Sequence, residues 1–232
     1  MKAIFFDACV TTLAKNLKPI ADMFNVKEDN FSAIFLSAEV GSNVDPEIEK
    51  EAKKKILSEE KYSLVYFSSF NAKKIENFLV REKPDFFFVD AIRVYDQLWI
   101  GICTKFNIPV FKVLHGFIID YINYKPVAMI SKYKKMIRLV YAIYNISKIE
   151  HCSFIKLFYQ YCRFILRGTP LKDTLLSNLN LHPKVVFVYS DYYKDLWERK
   201  YGYPRENMEV IMPADLLLVK RDRKSTRLNS SH

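Results

Sequence analysis

The sequence has few glycines, no closely spaced cysteines and no long apolar run. Only five of its 232 residues are glycine, and neither GxGxxG nor GxxxxGK[ST] occurs, which argues against Rossmann dehydrogenases and P-loop NTPases. The four cysteines form no CxxC pair, so we expect buried thiols in a reducing compartment, not disulfides or a zinc site. No apolar run reaches the roughly 18 residues of a membrane span. We also expect no metal site and no secretory signal.

Apolar and aromatic residues are abundant instead, at 50% and 15% of the chain, which excludes disorder as its main state. Seven short apolar runs have the composition of strands buried on both faces of a parallel sheet. They cover residues 2–8, 33–38, 64–68, 85–90, 108–114, 184–190 and 208–212. Helical patterns lie between them, at about 12–24, 46–58, 71–82, 94–106 and 191–201. This alternation predicts an α/β fold, a Rossmann-like doubly wound parallel sheet of about six or seven strands.

The alternation stops between about 117 and 183, where we expect an inserted helical segment. Residues 128–172 contain nine Lys or Arg and a single acid, Glu150, and hold most of the net charge of +10. Apolar residues at Met136, Ile137, Val140 and Tyr144 share one face of a predicted helix. The basic residues that we expect at the surface are Lys132, Lys135, Arg138, Lys156, Arg163 and Arg167.

This basic segment has three interpretations. It could contact an anionic membrane, which basic helices with aromatic faces favour. It could bind nucleic acid through its charge. It could also be a pair of helices packed on the sheet, whose lysines form an ordinary solvated face. Between the first two, we expect a membrane surface in preference to nucleic acid.

Ligands of open α/β sheets bind at the carboxyl ends of the strands, so the residues after each strand are the candidate site. They are residues 7–12, 68–71, 90–93, 115–116 and 190–191, and among them we single out Asp7, Thr11, Asp90, His115 with Gly116, and Ser190. A histidine there could act as a general base, because its ordinary pKa lies near neutrality. The same positions also suit a loop histidine, a turn glycine and an N-cap serine.

The segment after the first strand resembles the opening of haloacid-dehalogenase-type phosphatases, in which an aspartate is the nucleophile. Asp7 would be that nucleophile here. The second aspartate, which serves as acid and base in that family, is replaced by Cys9, and the usual glycine by Val10. A phosphatase that uses Asp7 is therefore an alternative function, as is a non-enzymatic basic module that binds nucleic acid or membrane.

Three stretches, in this order, resemble the N-terminal domain of GT-B-fold glycosyltransferases. More narrowly, they are similar to bacterial enzymes that build surface polysaccharides or teichoic-acid-like polymers. The stretches are Lys83-Pro-Asp-Phe-Phe-Phe-Val-Asp90, Ile108-Pro-Val-Phe-Lys-Val-Leu-His-Gly116, and residues 186–213, which end in Met212-Pro213. Together with the spacing between them, they cover most of residues 1–221.

The resemblance implies a metal-independent enzyme with its active site in a cleft between two domains. Residues 1–221 would be the acceptor-side domain, for a glycan or lipid-linked acceptor. His115 would be the base, Gly116 would shape its loop, and Asp90 and Ser190 would lie at the rim. Asp7 and Thr11 stand where the family often has a glycine-rich loop. The nucleotide-sugar donor would bind mainly to a C-terminal domain, so we expect no cofactor on residues 1–221, and a location in the cytoplasm or at the inner face of the plasma membrane.

The last eleven residues, 222–232, match one reading frame of a common sequencing-adapter oligonucleotide. We therefore expect them to be a non-native, disordered tail. We further expect the natural chain to continue past about Arg221 into the donor domain, so that the present chain alone is inactive.

Overall fold

Seven parallel strands form one sheet in the described part of the chain. The computed structural model describes residues 1–38, 45–90, 93–113, 133–167 and 181–211. The strands are β1 (Lys2–Asp7), β2 (Ser32–Ser37), β3 (Tyr62–Tyr66), β4 (Phe86–Val89), β5 (Val110–Val113), β6 (Val185–Val188) and β7 (Met208–Val210). Their order is β3-β2-β1-β4-β5-β6-β7, with every neighbouring pair parallel. The predicted fold class, a Rossmann-like doubly wound α/β sheet, is therefore confirmed.

Helices cover both faces of this sheet. Those on the first face are α1 (Val10–Thr12), α2 (Lys18–Lys27) and α3 (Pro46–Ile56). Those on the second face are α4 (Ala72–Glu82), α5 (Val94–Lys105), α6 (Tyr133–Ile149), α7 (Phe154–Arg167) and α8 (Asp191–Tyr201). Because side chains alternate along a strand, Phe5 and Phe88 face the first core, whereas Phe6 and Phe87 face the second. The strands are thus apolar on both sides, which explains their continuous apolar runs.

Cap geometry confirms two predicted helix boundaries. The Asp45 carboxylate accepts a hydrogen bond from the Glu47 N–H at 2.8 Å, and Pro46 is the first residue of α3. Helix α8 ends at Gly202, whose φ of 71° lies in the left-handed region that favours glycine. The local sequence therefore sets where these helices begin and end.

A π-helical turn at Leu13–Leu17, which the sequence analysis did not predict, joins α1 to α2. Pro19 has no N–H and cannot donate to the carbonyl four residues before it, so the helix widens upstream. The Lys18 N–H accordingly donates to the Leu13 carbonyl, five residues back. The widened turn carries Asn16 to the carboxyl edge of the sheet, where its Nδ2 lies 2.9 Å from Asp90 Oδ2.

Helices α6 and α7 lie between β5 and β6 in the sequence and pack in the second core with α5. Ala142, Ile143 and Ile146 of α6 are fully buried there, as are Leu157 and Tyr161 of α7. None of the helices in the described ranges is long and apolar enough to cross a membrane.

The expectation that all four cysteines are buried is only partly correct. All are free thiols, and Cys103 lies in the core of α5. Cys9, Cys152 and Cys162 are only half-buried. Cys9 and Cys152 lie at the boundaries of helices, where packing is less complete than in a helix centre.

Candidate functional site

Five charged residues meet where the strand order reverses, at the carboxyl ends of β1, β4 and β5. We call them the switch-point cluster: Asp7, Asp90, Arg93, Asp96 and Lys112. Four of the five are buried, whereas the side chain of Arg93 is 45% exposed. The buried charges require partners, because an unpaired charge in a protein interior is costly.

Arg93 is held by Asp96 from its own helix. Arg93 is the N-cap residue of α5 and Asp96 lies three residues later, so their side chains meet at the first turn. The Asp96 carboxylate accepts hydrogen bonds from Arg93 Nε at 2.9 Å, from Nη2 at 3.0 Å and from the Arg93 backbone N–H at 2.6 Å. These contacts fix the plane of the guanidinium group.

Asp7 pairs with the same guanidinium from the neighbouring strand. Its Oδ2 accepts from Arg93 Nη2 at 3.0 Å, and its Oδ1 accepts from the Cys9 N–H at 2.8 Å. Burial raises the pKa of Asp7 to about 6, with further increases from Asp96 and Asp90, while Arg93 and the Cys9 N–H oppose the rise. The pKa of Asp7 therefore lies closer to neutral pH than that of an ordinary aspartate.

Lys112 and Asp90 connect the ends of β4 and β5. The Lys112 ammonium, at 1% exposure, donates to the backbone carbonyl of Asp90 and lies 5.0 Å from the ring centroid of Trp197. Burial lowers the pKa of Lys112 to about 8, although Asp90 and Asp96 oppose this change. The Asp90 carboxylate, in turn, accepts from Asn16 at the π-helical turn.

This arrangement presents a fixed cation to the carboxyl edge of the sheet. Among the described residues, the side-chain hydrogen bonds of Arg93 use Nε and Nη2, which leaves Nη1 for a ligand. A planar guanidinium suits carboxylate or phosphate groups. The site thus combines an anion-binding group with a carboxyl group, Asp7, that can take up or release a proton. No three His, Cys, Asp or Glu side chains form a metal-binding group in the ranges that the structure covers.

The structure brings three of the predicted site residues together. Asp7 and Asp90 belong to the switch-point cluster. Thr11 is linked to it through Cys9, whose Sγ lies 2.8 Å from Thr11 Oγ1 and whose N–H donates to Asp7. Ser190 is the N-cap residue of α8, yet its side chain makes no capping hydrogen bond and none to the cluster within the described ranges. The predicted base and its loop residue, His115 and Gly116, follow β5 in sequence but lie outside the described residues. Their roles stay predictions.

The predicted basic surface is described in part. Arg138, Lys156 and Arg163 are exposed on α6 and α7. Lys132 lies outside the described residues, and the side chains of Lys135 and Arg167 are not described.

Arg93 lies in the predicted segment 90–93 but was not singled out, and Asp96 and Lys112 lie outside every predicted site segment, although two features of the sequence point to these residues. Lys112 interrupts the apolar run of β5, and a lysine in a strand covered on both faces must be buried. Arg93 and Asp96 have the spacing of an ion pair at a helix N-terminus.

The fold and the site define the chain as a Rossmann-like α/β domain with a charged switch point. No protein-family model and no curated protein matches it. Among solved structures, it is similar to UDP-GlcNAc 2-epimerase from Methanocaldococcus jannaschii, with 12% identity, a TM-score of 0.45, and coverage of 91% of this chain and 45% of that chain. It is also similar to dTDP-glucose 4,6-dehydratase from Bacillus anthracis str. Ames, with 10% identity, a TM-score of 0.38, and coverage of 90% and 74%. The chain therefore spans less than half the length of the epimerase.

Proposed function

We propose that this chain is the acceptor-side part of a glycosyltransferase, which moves a sugar from a nucleotide-activated donor to a surface-glycan or lipid-linked acceptor. The observation that carries the proposal is the guanidinium of Arg93 at the switch point, which two carboxylates hold in place on a half-exposed side chain. It lies at the sheet edge where ligands of this fold class bind. The His115-Gly116 motif follows the neighbouring strand, β5.

Glycosyl transfer needs a base and a cation that stabilises the charge of the phosphates. The acceptor oxygen bonds to the anomeric carbon, the bond to the diphosphate breaks, and the acceptor proton passes to a base. His115 is the proposed base. Arg93 would pair with a phosphate of the donor or the acceptor, and so stabilise negative charge. Asp7 and Asp96 hold Arg93 in place, which makes them positioning residues.

The test is sugar transfer by a full-length protein that includes the proposed donor domain. Purified protein is incubated with radiolabelled UDP-, dTDP- and GDP-sugars and a bacterial lipid extract, and label in the extract is measured. We expect transfer from one donor class, and none from residues 1–221 alone, because the proposed donor domain is missing. No transfer with any donor, or full transfer by residues 1–221, would contradict the proposal.

A phosphatase that uses Asp7 has weaker support. Both oxygens of its carboxylate accept hydrogen bonds, and Asp7 is only 4% exposed, so neither oxygen is presented to a substrate. Hydrolysis of p-nitrophenyl phosphate that is abolished by Asp7→Asn would favour the phosphatase over the transferase.

A further inference from the structure

Helix α6 has a second apolar face that does not belong to the core. Ala142, Ile143 and Ile146 pack in the second core, yet the opposite side of the helix is also apolar and is exposed to solvent. This face and the start of α7 form an open groove of about 410 Å³. The residues that line it are Met136, Ile137, Val140, Tyr141, Tyr144 and Phe154. An exposed apolar surface of this kind marks an interaction site.

Two cations on α6 and α7 lie over tyrosine rings, and one of these rings, that of Tyr144, lines the groove. Lys148 Nζ lies 4.5 Å from the ring centroid of Tyr144, and Arg163 Cζ lies 5.8 Å from that of Tyr159. Ile155 on α7 extends the apolar surface and is 76% exposed. Along residues 133–167 of the sequence the only acid is Glu150. The surface therefore combines aliphatic, aromatic and cationic groups.

We propose that this α6–α7 face docks on an anionic lipid bilayer. A bilayer supplies hydrocarbon for the aliphatic side chains, a polar interface for tyrosine and negative headgroups for the cations. A second copy of the chain would place one positive face against another, which costs electrostatic free energy. A nucleic acid would neutralise the cations but leave Ile137 and Ile155 in water.

The docking face adjoins the carboxyl edge of the sheet. Tyr141, in the groove, accepts a hydrogen bond from Asn71 Nδ2 at 3.1 Å, and Asn71 begins the helix that follows β3. Tyr95, beside the switch-point cluster, donates to the carbonyl of Ser69 at 2.8 Å and packs on Phe70. Docking would hold the candidate site close to the membrane surface. The proposal itself does not depend on the transferase function.

Vesicle sedimentation of the whole chain tests the proposal without a catalytic readout. We expect binding to phosphatidylcholine vesicles with about 30% phosphatidylglycerol, little binding to phosphatidylcholine alone, and weaker binding at higher salt. Arg138→Ala with Arg163→Ala should lower the partition coefficient about 25-fold, at about fivefold for each cation. Ile137→Ser with Ile155→Ser should lower it at least about tenfold, because apolar burial is lost.

Matched controls lie on the other side of the molecule. Val26 on α2 is 87% exposed, and Lys50 on α3 is also exposed, so Val26→Ser and Lys50→Ala should leave partitioning unchanged. Equal binding to both vesicle types, no binding to either, or equal losses in the controls would overturn the proposal. So would a dimer in sedimentation velocity that Ile137→Ser dissociates, since the groove would then belong to a second copy. Binding to oligonucleotides but not to vesicles would overturn it too.

Discussion

Arg93 donates from Nη2 to Asp7 Oδ2 at 3.0 Å, although the two residues are 86 positions apart in the sequence. Asp7 ends β1 and Arg93 begins α5, just after β4. The contact is possible because β1 and β4 are neighbours in the sheet, at the point where the strand order reverses. It joins the two halves of the sheet through one charged hydrogen bond. Both the stability of the domain and the shape of the candidate site should therefore depend on it.

Replacement of Arg93 by alanine should destabilise the domain by about 2–3 kcal/mol. Asp7 and Asp96 would stay buried without their shared cation. Loss of one partner of a fully buried ion pair costs about 3–5 kcal/mol. The Arg93 side chain is half-exposed, so water can solvate the two carboxylates in part after its removal, and we expect a smaller cost. Urea denaturation at pH 7 measures the change.

The control for this variant is Arg81→Ala. Arg81 pairs with Glu82 on the surface of α4, with a side chain that is 69% exposed, and should cost less than about 1 kcal/mol. Asp7→Asn in the Arg93→Ala background should recover part of the loss, because one uncompensated charge is removed. Equal losses of unfolding free energy for Arg81→Ala and Arg93→Ala would show that the switch-point ion pairs contribute no more stability than a surface ion pair.

Asp7 should make the domain less stable as the pH rises from about 4 to 7. Its pKa is raised from 3.8 to about 6 in the folded chain, first through burial. Between these values the folded state keeps a proton that the unfolded state has released, so the free energy of unfolding falls with increasing pH. Relative to wild type, Asp7→Asn should gain up to about 3 kcal/mol over this range. Denaturation of both proteins at pH 4, 5, 6 and 7 tests this, and parallel pH profiles would contradict it.

The strand pattern predicted the sheet because strands buried on both faces must be apolar throughout. The prediction for β3 was shifted, from Tyr62–Tyr66 in the structure to residues 64–68. Tyr62 and Ser63 pair with Ala33 and Ile34 of β2. Because both side chains carry a hydroxyl group, a search for continuous apolar runs begins the strand two residues too late. Edge strands such as β3 are harder to delimit, since they have a neighbour on one side only.

From the sequence we could predict only those residues of the candidate site that lie at the end of a strand. Asp7 and Asp90 were selected because they lie at the carboxyl ends of apolar runs. The contact of Arg93 with Asp7 depends on β1 lying beside β4, and an alternation of strands and helices does not determine that order. The position of Asn16 depends on the π-helical turn, which in turn depends on Pro19.

Lys112→Met should be neutral or stabilising at pH 7. The substitution keeps an unbranched side chain, one atom shorter than lysine, and removes a buried charge, which is often favourable. The pKa of Lys112 falls from 10.5 to about 8 in the folded chain, through burial above all. Between these values the unfolded state holds the extra proton, so wild type gains stability with increasing pH, by up to about 3 kcal/mol, and the variant does not.

Denaturation at pH 7, 8, 9 and 10 measures how the difference in the free energy of unfolding between wild type and Lys112→Met changes with pH. Lys105→Met is the control, because Lys105 forms a surface ion pair with Glu76 and its side chain is 56% exposed. A constant difference between wild type and Lys112→Met across this range would show that Lys112 stays charged when buried.

His115→Asn should lower the turnover of the proposed full-length transferase by about 100-fold or more, the usual loss for a general base. His151→Asn is the matched control, since His151 is exposed between α6 and α7 and has a positive φ that asparagine tolerates. The pH profile separates His115 from Asp7, whose pKa is about 6. If His115 is the base, the loss of kcat/KM at acidic pH persists in Asp7→Asn and disappears in His115→Asn, because only the second variant lacks the titrating base. The reverse pattern would transfer the role of base to Asp7, and unchanged turnover in His115→Asn would remove His115 from the mechanism.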